Sequence, residues 1–131
     1  QQVDDRADEI RTEVETRVQE TADEARQKVQ AELDSRANQV MEEANSVAER
    51  IRSEARTAAE RLRSEARTQA QRLEAEASGP IAQLAARRAG QALIAEADQR
   101  ANALEDEAGR NAARVVTEAQ TRADRIRAGM E

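Results

Sequence analysis

A chain of 131 residues, 37% of them charged, with a formal charge of −6 and no aromatic residue, His or Cys, is excluded from several chemistries at once. It has no His- or Cys-based nucleophile–base pair, disulfide or thiolate metal site, and neither the basic patch nor the stacking rings that nucleic acid asks for. Large side chains are too scarce for a compact globular core, and no apolar run is long enough for a membrane span or signal core.

What remains is the composition of a long helix: rich in Ala, Glu and Arg, with one Pro and four Gly. High charge with low hydropathy also marks disordered chains, so periodicity has to decide. Residues 48–58, AERIRSEARTA, are followed directly by AERLRSEARTQ. The repeat is eleven residues long, and it extends well beyond this pair.

The first predicted element covers residues 1–77 as one helix of seven such repeats. One apolar class falls at Ala7, Val18, Val29, Val40, Ile51, Leu62, Leu73 and Leu84. A second falls at Ala22, Leu33, Ala44, Ala55, Ala66 and Ala77. A third holds Val3, Val14, Ala25, Val47 and Ala58, and is interrupted by Arg36 and Gln69. Eleven residues in three turns is about 3.67 per turn, slightly more than the natural 3.6, and a seam of that period winds helices right-handedly around one another. Pairs such as Arg50/Glu54, Arg61/Glu65, Glu49/Arg52 and Glu60/Arg63 sit at the spacings that add a few tenths of a kcal/mol on a helix surface.

Ser78-Gly79-Pro80 is the strong breaker. Pro inside a helix loses a hydrogen bond and clashes with the preceding turn, whereas at a first helical position it is tolerated. A kink or a hairpin is therefore predicted at Gly79-Pro80. Apolar residues at unbroken spacing of four, from Leu73 through Ala77, Ile81, Ala85, Ala89, Leu93 and Ala97 to Ala101, favour the continuous, kinked rod.

The second predicted element, residues 81–131, resumes the rhythm in a shifted phase. Its classes are Ala97, Ala108, Ala119 and Met130; Ala101, Ala112 and Ala123; and Leu93, Leu104, Val115 and Ile126. The frame has slipped by two residues, which at roughly 100° per residue turns the apolar face almost to the other side. The fold class expected is all-α, a long eleven-residue-repeat helix in a right-handed coiled coil.

A thin aliphatic stripe needs cover, so an interface between copies is expected along these classes, from Val14 to Ile126. Its members are Val14, Val18, Val29, Leu33, Val40, Val47, Ile51, Ala55, Leu62, Ala66, Leu73, Ala77, Leu93, Ala97, Ala101, Leu104, Ala108, Ala112, Val115, Ala119 and Ile126. A dimer is favoured, with trimer and tetramer compatible with the small core positions. Arg36, Gln69 and Arg88 at seam positions either set register or extend their heads to water. Acidic groups such as Asp4/Asp5, Glu42/Glu43 and Glu105/Asp106/Glu107 lack the ligand alternation of a calcium loop and read as solvated faces. No cofactor, metal, nucleic acid or catalytic residue is expected, and membrane contact is disfavoured by the missing aromatic and Lys anchors.

The phrase AERLRSEARTQ resembles the repeats of group 3 late-embryogenesis-abundant proteins, a likeness covering the rhythm of residues 20–77. It implies a chain that is disordered when hydrated and helical on drying or at membranes. Arg stands here where that family favours Lys. The Ala-dominated rhythm of residues 81–131 is similar to the stalk of rotary ATP synthase subunit b, which implies a right-handed coiled coil; the Gly-Pro break is foreign to that stalk. The stretch around the Pro is also similar to helical tails of some bacterial envelope proteins. Three functions follow as expectations: a structural spacer, stalk or filament segment that self-associates, an adaptor that binds another protein's helix, and a stress-protective or lipid-surface helix. A soluble chain, cytoplasmic or of the bacterial envelope, is expected.

Overall fold

The structure, a computed structural model, describes residues 2–130. It is all-α: α1 spans Gln2–Glu76 and α2 spans Pro80–Arg127, with no strand among the described residues. Helix is what these residues favour intrinsically, since Ala, Glu, Arg and Gln are among the best formers. Asp4 and Asp5 in the first turn of α1, and Arg125 and Arg127 in the last turn of α2, complement the helix dipoles.

The two helices form an antiparallel hairpin. The continuous rod that the spacing of four favoured does not form. In that run Ile81 is 86% exposed and Ala85 and Ala89 are exposed as well, so the spacing carries no buried stripe across the break. Reversal takes three residues, Ala77 to Gly79. Gly79 adopts φ +89°, open to glycine without penalty. Pro80, expected within the break, is instead the first residue of α2, where its missing N–H costs nothing. The Gln83 N–H then donates to the Gly79 carbonyl at 3.0 Å. The two-residue slip in apolar phase belongs to this reversal, in which each helix turns its own face inward.

α2 ends in a closed cap. The Gly129 N–H donates to the Ile126 carbonyl and the Met130 N–H to the Arg125 carbonyl, both at 2.9 Å, with Gly129 at φ +72°. This paired arrangement satisfies two carbonyls the helix leaves open.

The chain divides into two units, Glu42–Ala119 and the combination of Gln1–Met41 with Gln120–Glu131. Within Glu42–Ala119, Glu74 lies by Arg87 and Arg63 by Glu105, the order of an antiparallel pair. Within the other unit, Ala37, Ala123 and Ile126 form a buried cluster, with Leu33, Val40 and Met41 packed on it.

Candidate functional site

The buried surface is almost entirely alanine. α1 contributes Ala37, Ala48, Ala59 and Ala70, and also Ala44, Ala55 and Ala66, each series spaced by eleven residues. Val40, Ile51 and Leu62 lie half-buried beside them. α2 contributes Gly90, Ala101, Ala112 and Ala123; Ala108 and Ala119, with Ala97 half-buried; and Leu93, Leu104 and Val115 half-buried, ending in buried Ile126. No large side chain is fully buried among the described residues. The seam therefore gains modestly per contact, at about 0.8 kcal/mol per buried methylene-sized group, and it relies on length.

On α2 all three apolar classes read from the sequence lie inward, apart from Met130, which is exposed. On α1 the third class is corrected. Val47 is 41% exposed and Arg36, Ala58 and Gln69 are exposed, while Ala37, Ala48, Ala59 and Ala70, one position later, are buried. Arg36, Gln69 and Arg88 are therefore surface residues, not seam residues.

Most of the residues expected between copies are instead covered within the hairpin: Ala55, Ala66, Ala101, Ala108, Ala112, Ala119 and Ile126 are buried, and Leu33, Val40, Ile51, Leu62, Leu93, Ala97, Leu104 and Val115 are half-buried. Near the turn, Leu73 is 37% exposed and Ala77 half-buried.

Polar fringes fix the pairing. Arg63, expected beside Glu60, instead crosses to α2. Its Nη1 donates to Glu105 Oε1 at 2.9 Å, its Nη2 to Asn102 Oδ1 at 2.7 Å, and its Nε lies 3.7 Å from Asp98 Oδ1. At the other end Arg127 Nη2 donates to Asn38 Oδ1 at 3.1 Å, and Gln30 Nε2 reaches the Arg127 carbonyl at 3.4 Å. Sequence spacing finds partners three or four residues away and has no means of finding these. The recurring Ser53/Thr57 and Ser64/Thr68 are explained locally: each Thr hydroxyl donates to the carbonyl four residues earlier, at 3.1 and 3.0 Å.

Among the described residues, nothing of α2 packs on α1 N-terminal to Gln30. Val3, Ile10, Val14, Val18 and Val29 are between 54 and 79% exposed, on a stripe filled out by Ala7, Ala22 and Ala25. Val18 and Val29 belong to the same eleven-residue series as half-buried Val40, Ile51 and Leu62. The stripe thus carries one class of the hairpin's seam, through Val29, Val18 and Ala7, past the end of α2, and adds Val3, Val14 and Ala25 from the series that lies on the surface further along α1. Isolated exposed valines are ordinary; here the exposed aliphatic residues recur along one face of α1.

Among the described residues, no three Asp or Glu side chains come together as a metal set, and no helix is long and apolar enough to cross a membrane. No protein-family model, curated protein or solved structure matches the chain.

Proposed function

We propose that this protein is a non-catalytic structural module, a spacer or stalk element that self-associates as a coiled coil through the uncovered part of its seam. One observation carries the reading: the aliphatic series of Val40, Ile51 and Leu62 that packs α2 onto α1 continues through Val29 and Val18, where it is bare and is joined by the exposed Val14 and Ile10. Burying a Val side chain contributes about 1.5–3 kcal/mol, and the stripe offers several in succession. The right-handed winding that eleven-residue spacing favours belongs to the same reading.

Analytical ultracentrifugation with circular dichroism on one dilute sample tests it. The expected result is a helical dimer that Val14→Asn/Val18→Asn converts to a monomer with its hairpin helicity retained. A wild-type chain that sediments as a monomer at every concentration tried would sink the proposal.

A further inference from the structure

We infer that the uncovered stripe pairs with the same stripe of a second copy, antiparallel and centred on Thr16. The inference rests on the self-association reading and specifies its geometry. The apolar positions are Val3, Ala7, Ile10, Val14, Val18, Ala22, Ala25 and Val29, with successive steps of 4, 3, 4, 4, 4, 3 and 4. That series is its own mirror image about residue 16. Run antiparallel, two copies place Val3 against Val29, Ala7 against Ala25, Ile10 against Ala22, and Val14 against Val18, each contact occurring twice. Every stripe residue then meets a stripe residue, as a two-fold symmetric contact between identical surfaces requires. Thr16 itself lies on the far side of the helix, two residues from each of the central valines, and takes no part.

Sterics select the same direction. A parallel partner in register would follow the stripe toward Leu33 and Ala37, where Ala123 and Ile126 of α2 already sit. Its α1, continuous to Glu76, would have to enter the space α2 occupies. The antiparallel partner starts beside Val29 and runs away from that cluster. It runs beside α1 beyond the Gly129 cap that ends α2, in the same direction as α2, so the two do not compete for space.

Cysteine cross-linking tests this in a chain that has no native Cys. Val3 and Val29 are exposed, so Val3→Cys and Val29→Cys leave the hairpin core untouched. The two positions lie about 39 Å apart along α1, far beyond disulfide reach of about 7 Å between Cα atoms. The expected result, with one variant carrying a size tag, is a disulfide-linked mixed dimer when the two are oxidised together, and no cross-link from either alone. Cross-linking of Val3→Cys to itself overturns the antiparallel geometry while leaving self-association standing. So does the absence of any cross-link from a chain that still sediments as a dimer. A wild-type monomer removes both.

Discussion

Gly90 and Ala70 touch across the hairpin so closely that a Cβ on Gly90 would lie 2.9 Å from the Ala70 Cβ and 3.3 Å from its Cα. Neither atom can rotate away, so the helices would have to separate. Gly109, also within α2, has nothing within 4 Å of an added Cβ. The same substitution should therefore stabilise at Gly109 and fail to stabilise at Gly90. Gly109→Ala gains the helix preference of about 1 kcal/mol and raises the melting temperature. Gly90→Ala meets an overpacking cost of about 1–3 kcal/mol that cancels or exceeds that gain. Thermal melts by circular dichroism compare them, and equal stabilisation by both would refute the close approach.

Arg63 binds Glu105 and Asn102 with two separate guanidinium nitrogens, a fork that an ammonium cannot reproduce. Arg63→Lys is expected to cost most of what Arg63→Ala costs, on the order of 1 kcal/mol given the partial exposure of the pair. A double-mutant cycle with Glu105→Gln, read by urea unfolding, measures the coupling. A coupling of zero would mean the contact adds nothing.

Ala112 is 0% exposed whereas Val29 is 57% exposed. Ala112→Leu forces three extra carbons into a seam with no room and should destabilise the hairpin by about 1–3 kcal/mol. Val29→Asn should leave unfolding of the dilute chain unchanged within about 0.5 kcal/mol, while weakening association at higher concentration. Unfolding curves at two protein concentrations separate the effects.

Between residues 2 and 29, acidic side chains outnumber basic ones, so paired stripes repel. Raising ionic strength from about 0.01 M to 0.15 M shortens the screening length from about 30 to 8 Å. Association through the stripe should tighten accordingly. Sedimentation equilibrium at the two salt concentrations reads the change, and weaker binding at higher salt would point to attractive charge pairing instead.

The sequence made α2 legible because its classes contain Leu93, Leu104, Val115 and Ile126, whose positions carry information about burial. It misled on α1 where Ala was the only signal. Val3, Val14 and Ala25 do lie on the exposed stripe, but extending that series led to Arg36, Val47 and Gln69, all on the surface. The buried face had moved one position, onto Ala37 and its successors. Ala is a good helix former on any face, so exposed Ala58, Ala85 and Ala89 looked the same as buried Ala59. That ambiguity also produced the apparent stripe across Gly79-Pro80. The contacts of Arg63 depend on which repeat of α1 faces which part of α2, and one-dimensional spacing holds no such information.

The brevity of the turn has a consequence for a molecule built of near-copies. Residues 48–58 and 59–69 differ at only two positions, so an α2 displaced by one repeat would still find a row of alanines waiting. Such a slide is about 16 Å, and three connecting residues span at most about 11 Å. The tether thereby rules out the neighbouring alignments that the alanines alone would accept, and an arrangement that small side chains leave nearly degenerate is made unique by the shortness of a loop.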